Sequence, residues 1–205
     1  MNTELPIIYV ARHGETAWSR SGRHTGLTDI PLSTEGERDA ALLADRLENI
    51  PFRTVLASPL MRALRTCELA GFGAVAEIDR DLVEWNYGDY EGQTTQQIRA
   101  GRPDWRLFRD GCPGGESLDQ VGARADRVIA RVRATEGNVL LFSSGHFLRV
   151  FAARWLGLAP DAGRFFMLLT ASLSALGYEH DLDEPVIRFW DDTNRCPSTP
   201  HKVMQ

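Results

Sequence analysis

Short apolar runs alternate with helix-length amphipathic stretches along this chain, and that alternation restricts it to an α/β architecture. The runs lie at Ile7 to Ala11, Thr54 to Ala57, Ala74 to Ile78 and Val139 to Phe142, and alternating stretches near Ser172 to Tyr178 and Val186 to Trp190 read as final strands. Ser33 and Thr34, followed by Glu35 and Glu37, offer N-capping oxygens and favourable first-turn charges for a helix running to about Asn49, ahead of Pro51. Between Glu116 and Glu136, Leu118, Val121, Ala125, Val128, Ile129 and Val132 fall on one helical stripe, with Gly137 placed as a C-cap. A further helix is expected from about Phe147 to Leu156. The polar stretch from about 89 to 115 reads as short helices joined by loops and suits a lid over the sheet edge. From about 193 onward, Pro, Ser, Thr and Asn predict a mobile tail. With no repeat, low-complexity block or linker, the 205 residues are expected to form one domain.

Composition narrows the function. The 23 basic and 28 acidic residues leave a formal charge of -5, which gives no general attraction for nucleic acid or an anionic membrane. An anionic ligand would need a local arginine cluster. Cys67, Cys112 and Cys196 are widely spaced and form no Cys-x-x-Cys pair, which argues against a disulfide framework or structural zinc and for a reducing, cytoplasmic location. The start, Met1-Asn2-Thr3-Glu4, lacks the basic and apolar regions of a signal peptide.

Several residues able to handle phosphate sit where strands of an open α/β sheet should end, which is where ligands bind in such folds. Arg12-His13-Gly14-Glu15-Thr16 follows the first apolar run. Neutral imidazole is a good nucleophile, and a guanidinium fork matches phosphate oxygens. Gly14 permits a sharp turn and close backbone approach. Arg62 lies four residues after Ser58 at the start of a helix and could reach the same phosphate, whereas Arg65, one turn on, fits an exposed arginine paired with an acid. Glu84 precedes Trp85-Asn86-Tyr87, an aromatic neighbourhood that favours a neutral carboxyl and hence a general acid; Asp81 is a nearby alternative. His146, after Ser143-Ser144-Gly145, could stabilise transferring phosphoryl oxygens or simply cap a helix. His24, His180 and His201 have no comparable setting, and no His-Glu-x-x-His or similar metal pattern occurs.

With those residues in place, the chain resembles the histidine phosphatase, or phosphoglycerate mutase-like, superfamily from about Ile7 to Arg188. The resemblance rests on Arg12 to Thr16, on Thr25-Gly26-Leu27-Thr28-Asp29 with Pro31-Leu32-Ser33, on Ser58 to Thr66, and on Glu84 to Gly88. It implies a three-layer α/β/α sandwich with a mostly parallel central sheet. It implies a transient phosphohistidine at His13, phosphate binding by Arg12 and Arg62, and proton donation by Glu84, with no cofactor. Ser19, Thr25, Gly26 and Tyr87 are expected as secondary phosphate or substrate contacts by their motif positions. Trp18-Ser19, Tyr87 to Gly92 and Gly111-Cys112-Pro113 with Gly115-Glu116-Ser117 are similar to bacterial acid phosphatases and to the sedoheptulose-1,7-bisphosphatase group. The Arg-rich insertion of cofactor-dependent mutases is absent, which favours hydrolysis.

One departure stands out. The family's second catalytic histidine precedes the glycine of a His-Gly turn, where this chain has Ser144-Gly145-His146. Either Ser144 and His146 together replace it, or the site is a weakened phosphate-ligand binder; a phosphoglycerate mutase is the other alternative to a small-molecule phosphatase. Loss of a single oxyanion-type donor costs about 100- to 1000-fold in turnover without abolishing it, so an active, metal-independent enzyme acting on a sugar phosphate or bisphosphate is the expectation.

Overall fold

Six strands build one sheet in the computed structural model, which describes residues 5–193. They are β1 (Ile8–Arg12), β2 (Phe52–Ala57), β3 (Glu77–Ile78), β4 (Asn138–Ser143), β5 (Leu173–Tyr178) and β6 (Pro185–Asp192), in the order β3-β2-β4-β1-β5-β6. β1 to β4 are parallel, while β5 runs antiparallel to β1 and β6 antiparallel to β5. The sheet is therefore mostly parallel, as the alternation of runs and helices requires. The expected mobile tail lies outside the described residues, with Cys196 and His201.

Among the described residues eight α-helices accompany it: α1 (Ala17–Arg20), α2 (Thr34–Ala41), α3 (Leu43–Leu47), α4 (Met61–Leu69), α5 (Thr95–Gly101), α6 (Leu107–Asp110), α7 (Leu118–Arg133) and α8 (Gly145–Trp155). Strand parity sorts them into two layers. Val139 and Leu141 of β4 pack with Val121 and Val128 of α7 and Phe147 and Phe151 of α8, whereas Leu140 and Phe142 pack with Leu43, Leu47 and Cys67. Successive side chains of a strand point to opposite faces, so a central strand buried on both must read as a continuous apolar run. Each such side chain contributes about 1.5–3 kcal/mol by leaving water.

Local chemistry explains the element ends and three departures from expectation. Ser117 and Gln120 form a capping box that starts α7. The helix expected from Ser33 to about Asn49 is interrupted at Leu42, whose N–H turns back to Ala40; Gly36, Ala40, Leu43 and Leu47 still share one buried stripe. The strand expected from Ala74 shrinks to Glu77–Ile78, because the N–H groups of Val75 and Ala76 bond to the Phe72 carbonyl in a turn. Those residues sit beside the sheet's edge, where no outer neighbour rewards an extended chain. Gly137 is not the α7 cap, a place taken by Ala134; its φ of +113° bends the chain into β4.

The 89–115 segment does form short helices, but Ile98, Trp105 and Leu107 belong to the main core. Trp155 is fully buried, whereas Phe165 is exposed. Among the described residues no helix is long and apolar enough to cross a membrane.

Candidate active site

The chain leaves β1 toward β2 on one side of the sheet and leaves β4 toward β5 on the other, so the crest above the carboxyl ends of these adjacent strands is the crevice such sheets offer to ligands. The His13 N–H donates to the Ser143 carbonyl at 3.0 Å, fastening one crest loop to the other. Gly14 and Gly36 allow the turn after β1 to lie directly on the start of α2: a Cβ on Gly14 would stand 2.3 Å from the Gly36 carbonyl oxygen. The Gly14 N–H donates to Thr66 Oγ1, which donates in turn to the Arg62 carbonyl, joining α4 to the same turn.

His13 is buried, with Nδ1 2.7 Å from the Gly14 carbonyl oxygen. A carbonyl only accepts, so Nδ1 carries the proton and Nε2 keeps its lone pair. Burial, followed by the charges of Arg62 and Arg12, holds the imidazole pKa well below its ordinary value and keeps it neutral. The fully buried Arg62 donates to the carbonyls of Thr28, Thr25 and Gly26. Arg12 donates to the Leu168 carbonyl, and its guanidinium lies against Gly145, where a Cβ would come within 3.1 Å. Both arginines are pulled down by burial and pushed back up by Glu84. Carbonyl partners engage the terminal nitrogens, Nη1 of Arg12 and both Nη of Arg62, without cancelling the charge of either.

Glu84 is buried but not in the apolar setting its aromatic neighbours suggest. Its Oε1 accepts from the N–H groups of Trp85 and Phe147, each at 2.8 Å, and Oε2 accepts from the His146 N–H at 2.9 Å. The two α8 donors belong to its first turn, where backbone N–H groups lack helical partners. Asp81 is instead engaged by both Nε and Nη2 of Arg127, which lowers its pKa. Of the two acids, Glu84 is the one bonded to the first turn of α8 at the crest.

Ser144 N-caps α8 in position but makes no capping bond. Its hydroxyl, Arg12 Nε and Arg62 Nε are buried polar atoms without a partner. His146 meets the Tyr87 hydroxyl through Nδ1 at 2.6 Å. Burial and then Arg149 lower the His146 pKa, and burial raises that of Tyr87, so both groups are neutral. His24 stacks beside Tyr87 and Trp105 and is pushed down to about 4 by burial.

Three of the expected secondary contacts make hydrogen bonds within the protein. Ser19 Oγ closes the capping box of α1 with Thr16. Thr25 Oγ1 donates to the Arg23 carbonyl, and the Gly26 N–H donates to Glu91. Thr25 and Gly26 serve the crest through the carbonyls that hold Arg62. Arg65 pairs with Glu37 and Glu68 on the surface.

Sequence reasoning missed a chamber of about 750 Å³ beside His146, lined by Arg99, Arg106, Arg109, Arg149 and Arg164 among others. Arg109 and Arg164 pair with Asp110 and Asp161, but Arg149 donates to the Gly163 and Arg164 carbonyls and so retains an unneutralised charge. The available signal was spacing: Arg149 follows His146 by three residues, on the same helical face. Glu179, His180 and Glu184 bring ligand atoms within 4.8 Å of one another, but they are exposed on the β5–β6 turn, at the opposite end of the sheet.

A neutral imidazole beside a buried and a half-buried guanidinium, at the crest of an α/β/α sandwich, defines a phosphate-handling enzyme. The chain belongs to the histidine phosphatase superfamily, branch 1, whose family pattern matches residues 8–193. Similar proteins include an acid phosphatase of Mycobacterium tuberculosis, 43% identical over 84% of this chain and 87% of that protein. Sedoheptulose 1,7-bisphosphatase of Saccharomyces cerevisiae is 36% identical over 77% of this chain and 70% of its own length. The solved structure of the open reading frame Rv3214 product from Mycobacterium tuberculosis superposes with a TM-score of 0.88 at 40% identity, covering 93% of this chain and 99% of that one. The protein is a phosphoric monoester hydrolase.

Proposed function

We propose that the protein hydrolyses a small phosphomonoester, a sugar phosphate or bisphosphate, through a phosphohistidine at His13. The observation carrying this reading is the trio of unpartnered buried atoms, Arg12 Nε at the end of β1, Arg62 Nε in the first turn of α4 and Ser144 Oγ at the N-cap of α8, together with a neutral imidazole whose Nε2 is free. Buried donors are normally satisfied, and a phosphoryl group supplies the acceptors they lack.

His13 Nε2 attacks phosphorus, forming a P–N bond as the bond to the leaving oxygen breaks. Glu84 delivers its proton to that oxygen. Oε1 already accepts two N–H groups and Oε2 only one, so Oε2 is the oxygen with room for the proton. The imidazolium of phosphohistidine is stabilised by the Nδ1–H bond to Gly14. Water then attacks phosphorus, its proton passes to Glu84, and phosphate leaves His13 as it was. Ser144 and His146 take the place of the family's second histidine, Ser144 donating to a phosphoryl oxygen and His146 polarising the site from Nε2. The Arg149 side of the chamber supports a substrate with a second anionic group, and the reading extends to no metal or cofactor.

Phosphate release from a panel of sugar phosphates and sedoheptulose 1,7-bisphosphate in EDTA, with His13→Ala beside the native protein, tests this. Selective release that vanishes with His13 is the expected result. Interconversion of 3- and 2-phosphoglycerate would instead indicate a mutase, and tight binding without release a disabled site.

A further inference from the structure

Glu84 sits on a stretch with no strand partner. The chain after the short turn at Arg80–Leu82 runs through Val83 to Tyr87 without joining the sheet, so nothing in the ladder fixes the Glu84 carboxyl. The carboxylate is held by the N–H groups of Trp85, His146 and Phe147, and the Ser143 hydroxyl donates to the Leu82 carbonyl; the backbone around Glu84 is braced by one arginine from α7. Arg124 Nη1 donates to the carbonyls of Asp81 at 2.7 Å and Val83 at 3.0 Å, and Nη2 donates to that of Glu84 at 3.4 Å. The same guanidinium grips Glu116, with Nε to Oε1 at 2.7 Å and Nη2 to Oε2 at 2.8 Å. Glu116 then completes the brace from the other side: Oε2 accepts the Asn86 N–H, its own N–H donates to the Asn86 carbonyl, and its carbonyl accepts Trp85 Nε1.

We infer that Arg124, with Glu116, is a positioning residue for proton transfer, fixing Glu84 against the leaving oxygen. The inference rests on the reading of Glu84 as proton donor. A buried ion pair of this kind contributes little net stability against a well-packed apolar pair, because desolvating both charges offsets their attraction. Arg124 is 8% exposed, so its value lies in geometry: five donors in a fixed fork, aimed at backbone carbonyls on both sides of the acid. The guanidinium also stacks 5.0 Å from the Phe147 ring, and the Phe147 N–H holds Glu84 Oε1. The acid is thereby referenced to α7 and α8 at once. Displacement of a reacting group by about 1 Å is enough to cost on the order of 100-fold.

Leaving-group dependence tests this. p-Nitrophenolate departs without a proton, whereas an alkyl alkoxide such as that from glycerol phosphate needs one. Steady-state kcat/KM is measured for p-nitrophenyl phosphate and for glycerol phosphate with the native protein, Arg124→Met, Arg124→Lys, Glu116→Gln and, as reference, Glu84→Gln. The expected result is a loss of about 100-fold on the alkyl ester with less than about tenfold on the aryl ester for Arg124→Met, a smaller selective loss for Arg124→Lys, and the same selectivity in Glu84→Gln. Retained aryl turnover shows that the fold and His13 are intact. Equal losses on both esters, or none, in Arg124→Met would overturn the inference; where that variant does not fold, the isosteric Glu116→Gln is read by the same criterion. If Glu84→Gln itself shows no selectivity, the proton-donor reading fails, and this inference with it, while aryl turnover dependent on His13 still stands.

Discussion

The Tyr87 hydroxyl lies 2.6 Å from Nδ1 of His146, joining the stretch that carries Glu84 to the first turn of α8. A phenol whose pKa is raised keeps its proton and donates it to Nδ1, which leaves Nε2–H of a neutral imidazole to donate toward the substrate. Tyr87→Phe removes that donor and leaves Nδ1 buried without a partner. A group so orphaned costs about 1–3 kcal/mol of stability, and a ring no longer held in place with Nε2–H toward the substrate should lower kcat/KM by up to about 100-fold with the protein still folded. Turnover equal to that of the native protein would show that His146 orientation is irrelevant to the reaction.

Ser144 offers a cleaner dissection, because its hydroxyl has no partner among the described residues. Ser144→Ala breaks no internal bond, and its melting temperature should match or exceed the native value. If the hydroxyl donates to a phosphoryl oxygen, kcat falls by about 100- to 1000-fold. An unchanged kcat would leave His146 alone as the replacement for the family's second histidine. Rapid-quench labelling with radioactive substrate should show phosphoprotein in Ser144→Ala but none in His13→Ala.

How much of this was legible in the sequence depends on the kind of contact. β1 and β4 were visible because both faces of each are buried, and burial on both faces leaves an unbroken apolar run. Arg12 and His13 were visible because the chain itself places them at the end of such a run. The brace around Glu84 was not: Arg124 acts on carbonyls 40 to 43 residues earlier, and a carbonyl, present in every residue, has no signature. For the same reason Leu168 could not be foreseen as the Arg12 acceptor, nor Thr25 and Gly26 as holders of Arg62 by their carbonyls. The over-long Ala74–Ile78 strand failed differently, since composition reports β propensity but not whether a neighbour strand is there to pair with.

The buried His13 and the half-buried His24 and His146 make acid stability predictable in sign. His24 is pushed down to about 4, with Tyr87, Trp105, His146 and Thr95 around it. An unfolded histidine binds its proton near 6.5, so between about 4 and 6.5 the unfolded chain holds more protons than the folded one. Stability from this burial is complete above the unfolded pKa and is lost as pH falls toward the folded one. His13 and His146, also lowered, act in the same direction. His24→Gln should flatten the melting temperature against pH between about 4 and 6.5 relative to the native protein and leave the difference constant above 6.5. Imidazole resonances should place the His24 midpoint near 4; a midpoint near 6.5 would refute the argument.

Arg149 separates binding of the reacting phosphate from binding of the rest of the substrate. Its side chain lines the chamber beside His146, stacks over Phe108 at 4.8 Å, and directs its N–H groups to carbonyls that leave its charge intact. A second phosphate or carboxylate in that chamber would gain a hydrogen bond to a charged donor, about 1.5–3 kcal/mol. Arg149→Met should therefore raise KM for a sugar bisphosphate roughly 10- to 150-fold while changing KM for p-nitrophenyl phosphate, which has nothing to place there, by less than about twofold. The thermal midpoint must be followed as well, because Arg149 also ties α8 to the Gly163–Arg164 backbone. Parallel KM changes for both substrates would mean that this arginine shapes the crest as a whole and that the second anionic group, if the substrate has one, lies elsewhere.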